Sequence, residues 1–356
     1  MKKLVFIDQY LNAGGAERVF CTILRSLDPK KFDISLILIS GKGVLLPLVP
    51  DHVKVHTLGV SNTRKALQSA IKKLRGLEPE TVFCTSSRVA ILLVLARLFT
   101  KHFKIVARYP SMPSIEIREK KLSGWRLWVT KTFYRRVDRV IAQTDEMADD
   151  VVGIFGVKPD QVKVIFNPVD TQFIDDSITE SNRDFDLKGI NILGVGSVRE
   201  IKGFDVLIKA FALFGEEHSD AILNIVGKNI DNTTNDLKAL CKKLNISSKV
   251  QFHGYKENPY KFITHADLFV LSSRYEGLPN VVLEARYLKC NCVATDCVPI
   301  IRRLVKDQFI APVGDHRSLA KAMLDAYAFQ GNTYLKVPLT EQSLASQLGF
   351  CEDRKL

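Results

Sequence analysis

Glu276 and Glu284 stand on either side of seven intervening residues in the run Ser272-Ser273-Arg274-Tyr275-Glu276-Gly277-Leu278-Pro279-Asn280-Val281-Val282-Leu283-Glu284-Ala285. The apolar stretch from Asp267 to Ser273 reads as a buried strand, Gly277-Leu278-Pro279 breaks it, and helical apolar spacing resumes at Val281. A strand, a turn and a helix in that order leave backbone N–H groups free at the helix start. Such groups bind anions because the first turn has no internal acceptors and carries the positive end of the helix dipole, so phosphate is the natural guest. Glu284, about one turn inside the helix, can accept from two ribose hydroxyls, while Glu276 on the strand-end loop faces whatever the phosphate carries. A nucleotide attached to a sugar suits both. The spacing alone favours a surface Glu and a helix-face Glu that happen to stand so; the intervening Gly-Leu-Pro-Asn reverses that in favour of the ligand reading.

The elements that must position these groups repeat. The first half alternates strands and helices at Leu4–Asp8, Ala16–Leu27, Asp33–Ile39, Lys65–Leu74, Thr81–Cys84, Ile91–Phe99, Lys104–Ala107, Arg126–Arg136 and Arg139–Gln143. The second half does the same at Asn191–Val195, Phe204–Phe214, Ala221–Val226, Asp236–Leu244, Val250–Phe252, Leu268–Ser272, Val281–Leu288, Cys292–Thr295 and Leu319–Ala328. Alternation of this kind implies α/β architecture with a parallel sheet covered on both faces, here twice over. With 356 residues, two domains are also the prior expectation from size. The boundary is expected at Asn167-Pro168-Val169-Asp170, where Pro168 blocks pairing and a polar stretch follows. The expected plan is two doubly wound Rossmann-like domains, 1–168 and 169–328, with 329–356 returning to the first. Ligands of such sheets bind outside the strand carboxyl ends, so a cleft between the domains is the expected active site.

Composition narrows the setting. Apolar residues make up 46% of the chain, and mean hydropathy is near zero, which describes a globular protein. The apolar stretch Val89–Phe99 contains Arg97 and is too short to span a bilayer, and Met1–Asp8 lacks a signal-peptide cleavage site, so a cytoplasmic location is expected. Seven cysteines, Cys21, Cys84, Cys241, Cys290, Cys292, Cys297 and Cys351, are scattered without a Cys-x-x-Cys and read as reduced thiols.

Charge is divided unevenly. Residues 1–170 hold 28 Lys and Arg against 16 Asp and Glu, whereas residues 171–356 hold 23 of each, so the whole excess of 12 lies in the first half. That half is expected to meet an anionic partner. Arg118, Lys120, Lys121, Arg126, Lys131, Arg135, Arg136 and Arg139 are interleaved with Leu122, Trp125, Leu127, Trp128, Phe133 and Tyr134, a mixture suited to an anionic membrane surface. A solvated helix packing its aromatics on its own domain would carry the same pattern. No nucleic-acid-binding module is recognisable, and nucleic acid is not an expected partner.

Three runs together resemble glycosyltransferase family 4, a retaining group with the GT-B fold: the Glu276–Glu284 run, Gly194-Val195-Gly196-Ser197-Val198-Arg199-Glu200-Ile201-Lys202-Gly203-Phe204, and the amino-terminal Gly14-Gly15-Ala16-Glu17-Arg18-Val19. The resemblance covers nearly the whole chain. It implies transfer of a sugar from a nucleotide diphosphate, UDP favoured, to an acceptor held mainly by the first domain, without a metal ion or other cofactor. Relatives with Gly-Gly-Ala-Glu-Arg build bacterial polysaccharides or lipid-linked glycans, which implies a peripheral site on the inner face of the membrane. By this resemblance Lys202 meets the donor diphosphate, where an ammonium offsets leaving-group charge. Glu276 lies beside the donor sugar, Glu284 holds the ribose, and Gly277, Leu278, Pro279, Asn280 and Val281 run along phosphate and sugar. Tyr255, after Gly254, marks the resting place of the base. Gly14 and Gly15 allow close approach of donor or acceptor, although a plain strand-to-helix turn would use them equally. Arg108 occupies the region where many relatives carry a His and is a candidate acceptor contact.

The chain departs from the family twice. Ser197 stands where relatives have Arg, and Arg199, two residues on and on the same face of an extended segment, is the expected substitute. Cys297-Val298-Pro299-Ile300 replaces small residues and glycine near the site. Asp184-Phe185-Asp186 has the Asp-x-Asp pattern of the other glycosyltransferase fold, yet lies in the polar stretch between domains, where a solvated turn explains it. No His pair has metal-ligand spacing. The alternatives are a nucleotide-sugar epimerase or phosphorylase of the same fold, and a binding subunit that has lost turnover.

Overall fold

The computed structural model describes residues 1–12, 14–41, 43–118, 120, 122–178, 189–230, 233–335, 348 and 350. Asp184 and Asp186 lie outside the described residues. Packing divides the chain into one unit of Met1–Pro168 with the residues from Leu339 onward, and a second of Val169–Pro338.

The first unit is built on seven strands, β1 (Lys2–Asp8), β2 (Phe32–Leu38), β3 (Lys54–Thr57), β4 (Thr81–Cys84), β5 (Lys104–Arg108), β6 (Arg139–Ala142) and β7 (Val162–Val164). They pair in parallel in the order β3-β2-β1-β4-β5-β6-β7. In the central strand β1, Leu4, Val5, Phe6 and Ile7 are all buried, as a strand covered on both faces requires. Phe6, Phe20, Phe83 and the carboxyl-terminal Phe350 form a cluster on one face, with ring centroids 5.1–6.0 Å apart. Phe350 and Leu348 thus belong to the core of the first unit.

The second unit has six strands, β8 (Asn191–Val195), β9 (Ile222–Val226), β10 (Val250–Gly254), β11 (Leu268–Leu271), β12 (Cys292–Thr295) and β13 (Ile310–Ala311), again parallel, in the order β10-β9-β8-β11-β12-β13. Both sheets are therefore wound outward in two directions from their first strand. Each has a switch point, between β1 and β4 and between β8 and β11, where the strand order reverses direction and ligands of such sheets bind.

Three strands escaped the sequence pattern. β3 is largely exposed, β7 half-buried, and β13 only two residues long, so none carries the apolar run that marks a buried strand. The stretch that follows the expected boundary at Asp170 opens with a helix, Thr171–Ile178, with Ile174 buried. Residues 329–335 stay with the second unit: Tyr334 bridges Val305, and the Thr333 hydroxyl accepts from the Cys292 N–H at 2.6 Å. The return to the first unit therefore begins later than position 329.

Candidate active site

The loops that follow β8 and β11 meet at the switch point of the second unit. The β8 loop turns at Gly203, whose φ of +62° is left-handed, and a Cβ there would lie 2.0 Å from the Ser272 carbonyl oxygen, so only glycine fits. Four hydrogen bonds join the loops. The Arg274 N–H donates to Ile201 O at 2.8 Å, and its Nη1 to Glu200 O at 2.6 Å. Ser272 Oγ donates to Lys202 O at 2.9 Å, and Lys202 Nζ to Glu276 Oε1 at 2.6 Å. Arg274 also grips Asp205 with both Nη atoms at 2.8 Å. Burial pushes the Asp205 carboxyl up, but the Arg274 hydrogen bonds and charge more than offset it and hold the group below its ordinary value.

Lys202 and Glu276 are both largely shielded from solvent, and the Ser273 hydroxyl donates a second bond to Glu276 Oε1 at 2.6 Å. The site thus pairs a cation with a carboxylate whose orientation is fixed twice. Thr295 Oγ1, at the end of β12, bonds Ser273 O at 2.5 Å and ties the loop to the sheet. Ser273, Arg274 and Thr295 were not singled out by sequence reasoning; their adjacency to Glu276, or position at a strand end, was the available signal.

Arg199 is extended and exposed, and its Nε donates to Ser197 Oγ at 3.0 Å, so the two side chains share a face. Gly227 brings β9 against this loop: a Cβ there would lie 1.7 Å from Gly196 O. Tyr255 is exposed beside Gly254 at the end of β10. The helix Asn280–Tyr287 begins directly after Gly277-Leu278-Pro279 without a side-chain bond from its N-cap Pro279, with Leu278 buried and Val281 half-buried. Half-buried Glu284 lies in the second turn of that helix, and its Oε1 accepts from the Tyr260 hydroxyl at 3.5 Å. In the Cys297-Val298-Pro299-Ile300 turn, Val298 and Ile300 are directed into the core. Cys297 is close enough to feel Glu276, and burial together with that charge pushes its thiol up to about 12, so it stays protonated. The six cysteines among the described residues are all buried thiols.

At the switch point of the first unit, Asp8 closes β1 and accepts from the Thr85 hydroxyl just beyond β4 and from the Gln9 N–H. Burial raises its pKa above the ordinary carboxylate value. Glu17 is raised likewise, by burial first and by the nearby Asp8 charge. The space beside Gly14 holds this Glu17 carboxylate, whose Oε2 would be 2.1 Å from a Cβ on Gly14. Gly14 is the N-cap and Gly15 the first residue of the helix Gly15–Arg25. Neither Asp8 nor Glu17 was a candidate from sequence, because the burial that raises both arises only on folding.

Arg108 closes β5 and is 3% exposed. Its Nη2 donates to Asn167 Oδ1 at 2.6 Å, the Asn167 amide donates to Gln143 Oε1 at 3.2 Å, and Gln143 donates to Tyr109 O at 3.1 Å. Nη1 is buried without a hydrogen-bond partner. Burial pushes Arg108 down, to about 10. On the helix Trp125–Tyr134, Thr130 and Tyr134 are buried while Trp125 and Trp128 are 65% and 67% exposed. Among the described residues no group of three or more His, Cys, Asp and Glu side chains is placed to hold a metal ion, and no helix is long and apolar enough to cross a membrane.

Two Rossmann-like units with these loops define the GT-B fold, and comparison with known proteins gives the family. Residues 13–173 match the model described as Glycosyltransferase Family 4, and residues 177–333 match that of Glycosyl transferases group 1. The chain belongs to glycosyltransferase family 4. It is 28% identical over 319 residues to the Campylobacter jejuni N-acetylgalactosamine-N,N'-diacetylbacillosaminyl-diphospho-undecaprenol 4-alpha-N-acetylgalactosaminyltransferase, covering 86% of this chain and 84% of that one. It is 24% identical over 308 residues to the amylovoran biosynthesis glycosyltransferase AmsD of Erwinia amylovora, with the same coverage. Among solved structures, Anabaena HepE in complex with UDP-glucose superposes with a TM-score of 0.75 at 17% identity, over 91% of this chain and 90% of that one, a likeness of fold.

Proposed function

We propose that this protein is a retaining glycosyltransferase that moves a hexose or N-acetylhexosamine from a nucleotide-diphosphate sugar, with UDP favoured, to a growing polysaccharide or a lipid-linked glycan. The observation that carries the proposal is the Lys202–Glu276 pair at the β8/β11 switch point, with the start of the helix bearing Glu284 a few residues beyond. In this reading the donor diphosphate takes Lys202 from Glu276 and gathers Arg199 through the exposed Ser197 edge. Lys202, Arg199 and the N–H groups at the start of Asn280–Tyr287 hold the charge that develops on the departing phosphate. Glu276, released from Lys202 but still held by Ser273, orients the donor sugar. Glu284 holds the ribose, and Tyr255 borders the base. The acceptor hydroxyl attacks the face the nucleotide leaves, and the departing phosphate helps accept its proton. No metal is required for any of these roles.

The names of the relatives support the acceptor class: one acts on a diphospho-undecaprenol-linked sugar and another serves amylovoran biosynthesis. The basic first unit, with Trp125 and Trp128 exposed, suits peripheral contact with an anionic membrane that presents such an acceptor. The test is a screen of nucleotide-sugars for thermal stabilisation, followed by transfer assays with the stabilising donor in the presence of EDTA. A UDP-sugar is expected to raise the melting point and to be turned over in chelator. Failure of every nucleotide-sugar to stabilise the protein would overturn the reading. Loss of transfer in EDTA, restored by magnesium, would overturn its metal independence.

A further inference from the structure

We propose that Arg108 receives an oxyanionic group of the acceptor, a phosphate or a carboxylate. The inference rests on the reading above that the first unit takes the acceptor. A guanidinium stays charged in a protein, and burying it is costly unless anions and acceptors satisfy it. Arg108 is buried, and among the described residues its side chain bonds a neutral amide alone, Asn167, at 2.6 Å, with Nη1 left unsatisfied. It also stands at the carboxyl end of a parallel strand, the edge at which ligands of such sheets bind. Asn167 and Gln143, from the ends of neighbouring segments, hold Nη2 in place through the chain that runs on to Tyr109 O. The arrangement is a fixed cation with one buried nitrogen that has no acceptor among the described residues. An arginine kept only to join strand ends would have a carboxylate or several carbonyls around it. A bidentate oxyanion supplies what this one lacks.

Stability and binding together test the assignment. The full-length protein is first saturated with UDP, so that the phosphate positions of the second unit are filled. It is then titrated with inorganic phosphate and, separately, with glucuronate, at constant ionic strength. At least one of the two is expected to raise the melting point of the wild-type protein. Phosphate alone points to a phosphorylated carrier, and glucuronate alone to an acidic glycan. Arg108→Met is expected to lose that response, to keep its stabilisation by UDP, and to melt no lower than the wild type without ligand, because a buried unpaired charge has been removed. Arg108→Lys, which keeps the charge and loses the fork, is expected to weaken the response about tenfold, and it decides the matter should the Met variant fail to fold. The assignment is overturned if neither anion stabilises the wild type, if the Met or Lys variant responds as the wild type does, or if the Met variant folds but melts well below it. Absence of any UDP stabilisation would instead refute the donor reading.

Discussion

Lys202 Nζ lies 2.6 Å from Glu276 Oε1, a contact across 74 positions of sequence that joins the loop after β8 to the loop after β11. In the proposed mechanism Lys202 serves the donor phosphates and Glu276 the donor sugar, so donor binding would exchange the Lys202–Glu276 contact for these two. Glu276→Gln removes the competitor, so its affinity for UDP is expected to hold or rise, while turnover falls by about 10²-fold as an oriented contact to the sugar is lost. Glu284→Gln is expected to do the reverse, weakening UDP by roughly 1–3 kcal/mol through lost charge-assisted bonds to ribose. Calorimetry with UDP alongside initial rates separates the two, and equal effects of both changes on UDP affinity would sink the division of roles.

Arg274 touches neither proposed ligand, yet it holds Glu200 O and Asp205 and so sets the turn that carries Lys202. Arg274→Ala is expected to destabilise the fold by about 1–3 kcal/mol and to weaken UDP binding as the Lys202 turn loosens. Arg274→Lys keeps one bond and should recover part of both. Chemical denaturation and UDP titration check this; a variant with wild-type affinity for UDP would show that the turn stands without Arg274.

Asp8 and Glu17 give stability a defined pH dependence. Both carboxyls are raised by burial from ordinary values of 3.8 and 4.5. Between those values and the raised ones the folded protein binds more protons than the unfolded chain, so their stabilisation is complete below the ordinary values and lost as pH rises through the folded ones. Asp8→Asn removes that loss for one group. Its stability relative to wild type is therefore expected to improve as the pH goes from about 3.5 to about 7. Urea denaturation across that range is the measurement, and parallel curves for the two proteins would contradict the sign.

Trp125 and Trp128 are the strongest candidates for a membrane contact, since both are exposed on one face of their helix. Arg135 and Arg136 are already partly engaged, with Arg135 Nε on Phe155 O at 3.0 Å and Arg136 Nη1 on Thr132 O at 2.6 Å. Vesicles containing anionic lipid are expected to sediment with the protein at low salt and release it as ionic strength rises. Changing both tryptophans to Ser should reduce binding at every salt concentration, whereas neutralising Arg135, Arg136 and Arg139 should mainly remove the salt dependence. No binding to such vesicles at low salt would mean that the segment is an ordinary domain helix and the acceptor is soluble.

The sequence by itself determined the architecture, because two-sided burial leaves its mark locally. The apolar runs of β1, β4, β8, β11 and β12 and the helical spacing between them imply parallel sheets wherever they occur. It also marked the residues proposed as the poles of the site, Glu276 and Glu284 through the helix start after Gly-Leu-Pro, which is a local signal, and Lys202 through the resemblance to the family. The edge strands β3, β7 and β13 were not legible, since a strand with one free edge needs little apolar sequence. Only the tertiary structure decided which residues those poles engage: Lys202 with Glu276, Ser273 on Glu276, Arg274 on Asp205. The first and the last are made by strand order, which is set by how the sheet winds outward from its first strand rather than by any single segment, whereas Ser273 reaches Glu276 three residues along its own loop. The same holds for Arg108, whose side chain gives no sign in sequence that it is buried beside Asn167 with one nitrogen unsatisfied. It also holds for Asp8 and Glu17, whose raised pKa values arise from burial within the folded unit.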